Sequence, residues 1–246
     1  MATEPRAPRL AVLIDADNAS PRIAAGLFAE IAQIGEASVR RIYGDFSSPR
    51  LKSWSDILAK YAIQAHQSFA YTTGKNASDI ALVIDAMDLL HTSRFDGFCL
   101  VSSDSDFTAL AARVREQGVD VYGFGEQKTP EAFRQACRRF IYTENLVPEA
   151  PALDEPERPD SRPASVARSP STAVPLLRRA IAQLDEDDGW VSLGGVGQRL
   201  STLAPDFDPR TFGQAKLVTL VEKAGAFEVR RPAGGSVQIR LKTGQR

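Results

Sequence analysis

Leu10-Ala-Val-Leu-Ile-Asp15 is five apolar residues closed by an aspartate. A short apolar run of this kind is how a strand buried on both faces of a parallel sheet reads. Ser20-Pro21 then supplies an N-cap and a first-turn proline for a helix over residues 23–34, which Gly35 ends. Outward from there the cycle repeats. Residues 39–43 read as a second strand closed by Gly44-Asp45, residues 51–61 as a helix and residues 62–70 as a third extended segment. A polar loop over 72–77 leads into a helix over 78–91. Residues 97–101 are the fourth strand, followed by Ser102-Ser-Asp-Ser-Asp106 and a helix to Gln117. Residues 119–124 are the fifth, before a helix near 130–138 and an extended 140–143. Strands alternating with helices predict an α/β domain whose parallel sheet is covered on both faces. Right-handed crossovers put the strand-to-helix loops on one edge, where ligands of such sheets bind.

The chain has 246 residues, 43% hydrophobic and 25% charged, with a net charge of −1. These are ordinary values for a globular protein. The charge is unevenly spread. Residues 1–172 carry 19 Lys+Arg against 23 Asp+Glu, and residues 173–246 carry 11 against 8. An acidic front and a basic back suit a metal-binding part joined to a polyanion-binding part. Cys99 and Cys137 stand far apart in apolar or helical contexts and read as buried, reduced thiols. With His66 and His91 as the only histidines, they make no zinc-ligand spacing. Residues 1–9 lack the apolar segment of a signal peptide, and no apolar run reaches transmembrane length. The expected location is cytoplasmic, with no membrane partner.

Seven of the 15 prolines fall between residues 147 and 175, among Asp, Glu, Arg and Ser. A stretch so poor in aromatic residues cannot bury a core and reads as an extended linker. The expected organisation is a domain over 1–146, a Pro-rich linker over 147–172 and a second domain over 173–246. In the last, residues 176–184 and 193–203 read as helices, and Asp208-Pro209 caps a third running to Lys223. Residues 227–231 and 236–242 flank Gly234-Gly235 as a hairpin. Three helices and a terminal hairpin are the parts of a winged helix. Trp190 and Phe212 read as core residues.

The residues after the strands carry the chemistry. Asp15, Asp45 and Asp104, with Asp106, follow strands directly, and Asp79 opens a helix. Clustered carboxylates repel one another and raise the group's apparent pKa unless a cation neutralises them. Oxygen-only ligands suit Mg²⁺ or Mn²⁺, which keep several waters and accept phosphate oxygens. Such ions can position a water for attack on a phosphodiester, so no Ser or Cys nucleophile is needed. A lone aspartate at such a place is more often a helix N-cap, and Asp79, Asp104 and Asp106 all stand where caps belong. Asp15 and Asp45 have no helix immediately after them. Asp17 reads as a solvated loop charge.

Four stretches carry a family resemblance: Leu13-Ile-Asp-Ala-Asp-Asn18, Ile42-Tyr-Gly-Asp45, Gly74-Lys-Asn-Ala-Ser-Asp79 with Asp85 behind it, and Val101-Ser-Ser-Asp-Ser-Asp-Phe107. In this order they resemble the LabA-like group of NYN domains, a branch of the PIN-like nucleases, from about Leu10 to Asn145. The resemblance implies a PIN-like Rossmannoid fold and metal-dependent cleavage of RNA, single-stranded or structured. It implies catalytic acids at Asp15, Asp45, Asp79 and Asp104, and metal ligands at Asp15, Asp79, Asp104 and Asp106. Asn18 would support the first acid and Lys75 would lie near substrate phosphate. Ser103 departs from the pattern, since many relatives have Gly there, and puts the tight turn in doubt.

In the second domain, Gly189-Trp-Val-Ser-Leu193, Asp206-Phe-Asp-Pro-Arg-Thr-Phe-Gly213 and Lys216-Leu217 resemble the LOTUS (OST-HTH) domain. That resemblance implies a winged helix binding RNA or, in some relatives, a protein partner. Lys216, Lys223, Arg230, Arg231, Arg240 and Lys242 would contact phosphate, though charges on an exposed hairpin are also an ordinary solvated face. A homodimer is left open. The leading expectation is a Mg²⁺- or Mn²⁺-dependent ribonuclease; the alternative is a catalytically inactive RNA-binding or adaptor protein. A haloacid-dehalogenase-like phosphatase ranks below both, because Asn18-Ala19 follows Ile14-Asp-Ala-Asp17 where that motif wants Thr or Val.

Overall fold

The computed structural model describes residues 6–69, 76–147, 167–184, 189–232 and 235–242. The chain divides into two compact units, residues 1–149 and 150–246. Six strands form the sheet of the first: β1 (Arg9–Asp15), β2 (Glu36–Gly44), β3 (Gln64–Gln67), β4 (Gly97–Val101), β5 (Asp120–Gly125) and β6 (Arg139–Tyr142). All pair in parallel, in the order β3-β2-β1-β4-β5-β6. Helices α1 (Ala24–Ile34), α2 (Lys52–Ser55), α3 (Ala77–His91), α4 (Thr108–Glu116) and α5 (Glu131–Ala136) cover it.

Successive residues of β1 point to opposite faces. Leu10, Val12 and Ile14 pack with Ala24, Leu27 and Ile31 of α1 and Trp54 of α2. Ala11 and Leu13 pack with Leu82, Ala86 and Leu90 of α3 and with Leu110 and Val114 of α4. Burial on both sides is why β1 is apolar without alternation. Each fully buried Leu, Val or Ile contributes about 1.5–3 kcal/mol relative to exposure. This strand order winds outward in both directions from β1 and β4. The loops leaving those two neighbours turn to opposite faces and open a crevice between them.

One expected helix is shorter in the structure. In place of a helix over 51–61, a 3-10 turn (Pro49–Leu51) and α2 give way to turns through residue 62. Ala62 lies at φ 51, and the Ile63 N–H donates back to the Leu58 carbonyl at 2.9 Å. That left-handed residue reverses the chain into β3 before a longer helix can form.

The second unit holds α6 (Val174–Ile181), β7 (Val191–Ser192), α7 (Leu193–Leu203), α8 (Leu217–Ala224), β8 (Phe227–Arg230) and β9 (Gln238–Leu241). Its strands form an antiparallel sheet in the order β7-β9-β8. Leu177, Ile181, Val196, Leu200, Leu220, Phe227 and Ile239 make its core. The single helix expected from Asp208 to Lys223 is two pieces. Asp208 caps only a 3-10 turn (Pro209–Phe212), and Gly213 at φ 68 breaks the chain away before α8 begins. The Arg168 N–H donates to the Thr211 carbonyl at 2.9 Å, so residues from 167 onward pack into this unit. Residues 148–166 of the Pro-rich stretch lie outside the described residues. No helix among the described residues is long and apolar enough to cross a membrane.

Candidate functional site

Asp15 is the last residue of β1 and only 1% exposed, at the edge of the β1–β4 crevice. Its Oδ2 accepts from the Ser102 hydroxyl at 2.8 Å and from Asn18 Nδ2 at 2.8 Å. Its Oδ1 accepts from the backbone N–H groups of Asp17 (3.1 Å) and Asn18 (3.3 Å). Burial pushes the Asp15 carboxyl above the usual carboxylate range, against the pull of those four hydrogen bonds. Ser102, itself buried, also accepts from the Asp104 N–H at 3.0 Å. One hydroxyl thereby ties the acid after β1 to the loop after β4. Asp104 caps the 3-10 turn Ser105–Phe107, its Oδ1 accepting from the Asp106 N–H at 2.9 Å. The cap occupies one carboxylate oxygen, so cap and ligand are compatible roles for this residue.

Asp79 lies in the first turn of α3. Its carboxyl is pushed up to about 6, first by burial and then by the charges of Asp15, Asp104, Asp17 and Asp106. Acids from the end of β1 and from the loops after β1 and β4 thus bear on the start of α3. Asn76, just before α3, donates from Nδ2 to Asp106 Oδ2 at 3.2 Å and ties the helix start to the β4 loop. Asp45 directly follows β2. Its Oδ1 accepts from the Ser47 N–H (3.1 Å), the Ser47 hydroxyl and Gln67 Nε2 (2.7 Å), and its charge is not among those four. Asp17, read from the sequence as a solvated loop charge, is among them, and it pairs with Arg50 Nη2 at 3.1 Å. Lys75 lies outside the described residues. Among the described residues, no three His, Cys, Asp or Glu side chains gather closely enough to form a ready-made metal cage.

The orientation of α3 has its own support. Asp85 accepts from both Arg41 and the Tyr43 hydroxyl, which pins the helix carrying Asp79 onto β2. Burial and the Asp85 charge push the Tyr43 hydroxyl up, and burial pulls the neighbouring His66 down. Gly44, between Tyr43 and Asp45, lets β2 run close beneath the β1 loop. A Cβ there would stand 3.0 Å from that of Ala16 and 2.6 Å from Leu51 Cδ1. Ser103 costs the β4 turn nothing. Its backbone avoids the left-handed region, and its hydroxyl accepts from the Glu126 N–H at 2.8 Å. Sequence reasoning missed Ser102 and Asn76. Both stood inside quoted motifs, as a Ser before the Ser-Asp pair and an Asn before a helix.

In the second unit the basic residues are largely engaged. Arg231 pairs with Glu222 and Arg240 with Glu228, each at 2.6 Å, and Lys242 Nζ donates to the Gly225 carbonyl at 2.8 Å. Lys216 and Lys223 are exposed at the two ends of α8. Phe212 is buried as expected, but Trp190 is half-buried outside the core. The Arg230 and Arg240 guanidinium carbons lie 4.3 and 4.6 Å from its ring centroid.

Among solved structures, a protein of unknown function from Vibrio parahaemolyticus is 17% identical, with a TM-score of 0.49 over 57% of this chain and 95% of its own. An uncharacterized protein from Nitrosomonas europaea is 28% identical, with a TM-score of 0.28 over 39% of this chain and 95% of its own. Neither score supports an argument about function. No curated protein matches the chain. The OST-HTH/LOTUS domain family matches residues 165–238. The NYN domain family matches residues 9–146, more than half of the chain and the whole sheet with its acids, and the chain therefore belongs to that family.

Proposed function

We propose that the chain is a ribonuclease dependent on Mg²⁺ or Mn²⁺, with substrate also held by its second unit. One observation carries the reading: burial, and then the charges of Asp15, Asp104, Asp17 and Asp106, push the Asp79 carboxyl to about 6. Holding like charges together costs free energy that a bound cation offsets. The donor set is all carboxylate oxygen. Mg²⁺ keeps several waters and takes only one or two carboxylates directly, so a closed protein cage is not required.

Asp15, Asp79, Asp104 and Asp106 would hold the ion. Bound there, it would supply positive charge against the phosphodiester and its leaving oxygen. The chain's own residues do the positioning. Asn18 Nδ2 and the Ser102 hydroxyl donate to Asp15 Oδ2, and the backbone N–H groups of Asp17 and Asn18 donate to Oδ1, so the carboxylate is fixed in place at the end of β1. Arg50, with 80% of its side chain exposed beside Asp17, presents a guanidinium fork to substrate phosphate at the rim.

The test is incubation of the purified chain with labelled RNA and DNA in Mn²⁺, Mg²⁺ or EDTA. Wild type should cleave RNA with metal and not in EDTA. Asp15→Asn and Asp104→Asn should each lose cleavage by 10²-fold or more, on the order of a lost metal ligand and its neighbours. Undiminished cleavage by both variants would sink the reading. The second reading, a non-catalytic RNA-binding protein, draws on the lack of a three-ligand cage among the described residues. It requires RNA binding insensitive to EDTA and no cleavage with any metal.

A further inference from the structure

The three-stranded sheet of the second unit has two unlike faces. Val191 and Ile239 stand opposite each other and point into the core, with Val229 beside them. Side chains alternate along a strand, so Trp190, Gln238, Arg240, Glu228 and Arg230 share the outer face. There the two guanidinium groups lie against the Trp190 ring, at 4.3 and 4.6 Å. Each is also held at its edge. Arg230 Nε donates to Gln238 Oε1 and Arg240 Nε to Glu228 Oε2, both at 2.6 Å. Among the described residues, the Nη donors of Arg230 have no hydrogen-bond acceptor.

We propose that this outer face binds single-stranded RNA, with Arg230 and Arg240 stacked on Trp190 as its centre. The inference rests on the RNA-binding reading above and says where and how the second unit makes the contact. A guanidinium packed against an indole and hydrogen-bonded through its Nε has given up rotational freedom before any ligand arrives, so ordering it on binding costs little. A guanidinium plane can stack on a base, and its Nη groups match a phosphate. A single strand offers both at once. A duplex keeps its bases stacked inside and has none to lay on the arginines.

The rival surface of this unit is weaker. Along α8 the exposed cations Lys216 and Lys223 flank Glu222, which is already paired with Arg231. That helix offers no aromatic platform. Glu228 lowers the net charge of the sheet face, so stacking rather than charge alone should supply the affinity.

The experiment uses the full chain in EDTA, a fluorescein-labelled twelve-nucleotide RNA and its duplex. Binding is followed by anisotropy and by tryptophan emission. The chain has two tryptophans, and Trp54 is 1% exposed, so quenching by RNA reports on Trp190. The single strand should quench the emission and bind more tightly than the duplex. Arg230→Ala with Arg240→Ala should weaken binding by about 10–100-fold and lessen its salt dependence by about one phosphate contact each. Arg230→Lys with Arg240→Lys preserves charge and guards against misfolding, which a thermal melt by circular dichroism checks. It should still weaken binding several-fold, because an ammonium cannot stack. Wild-type affinity in the double Ala variant overturns the proposal while leaving the nuclease reading intact. Full affinity in the double Lys variant, or tighter binding of the duplex, overturns the stacking mode. If the wild type binds no RNA at all, this proposal falls with the RNA-binding reading, while cleavage with metal is scored separately.

Discussion

Removing the Ser102 hydroxyl takes a donor from Asp15 and an acceptor from the Asp104 amide in one step. Ser102→Ala should therefore lower cleavage by about 10–100-fold, as loss of a group orienting a ligand does. The stability loss should be only about 1–2 kcal/mol. A melt shifted by much more, with cleavage lost in proportion, would make the residue merely structural. Asp79 gives a prediction in pH. Its folded carboxyl sits at about 6, above the 3.8 of a free aspartate. The folded state then binds the proton more tightly than the unfolded one, so stability falls as pH rises from about 4 to about 6 and stays lower above. Asp79→Asn should flatten that decline, and Mg²⁺ or Mn²⁺ should raise the melting temperature of wild type more than of the variant. Parallel pH slopes for the two proteins would remove Asp79 from the cluster.

At the scale of the element, α7 carries Gly194, Gly195 and Gly197 in eleven residues. A Cβ at Gly195 would meet Leu184 at 3.7 Å, an ordinary contact, and nothing requires the glycine's freedom there. Gly195→Ala should stabilise the second unit by about 0.5–1 kcal/mol, read from urea unfolding. An unchanged or lower midpoint would mean that the helix N-terminus needs the glycine. Elements also show where local reading works. The strands β1 and β4 were legible because burial on both faces leaves an unbroken apolar run. The segment after Trp54 was not, because its apolar spacing looks helical while the left-handed Ala62 turns the chain. Likewise Asp208-Pro209 starts a helix-like turn, but Gly213 ends it after four residues.

At the scale of the molecule, two compact units carry separate cores. If the second unit holds RNA for the first, it raises the local substrate concentration without touching the reacting bond. A chain ending at residue 149 should then cleave a long RNA with KM raised on the order of 10–100-fold and kcat nearly unchanged. Steady-state kinetics on long and very short RNAs checks this, since the short substrate should not feel the loss. An equal KM for both chains on long RNA would give the second unit another task.

The α/β fold and the places of Asp15 and Asp104 at strand ends, with Asn18 beside the first, are legible in the residues alone. Each is a local consequence of where a buried strand stops, and strand order then makes β1 and β4 neighbours. The sequence also placed Asp79 at a helix start, but how far that start lay from the strands was beyond local spacing. Docking of α3 against the sheet is what sets Asp79 within the field of Asp15, Asp104, Asp17 and Asp106, and the approach of β3 is what brings Gln67 to Asp45. The tertiary structure alone placed Trp190 under two arginines instead of in the core, and paired Arg231 and Arg240 with glutamates. The physical reason is the same throughout. Periodicity fixes which way a side chain points along its own element, whereas its neighbours in space depend on how helices and strands are docked.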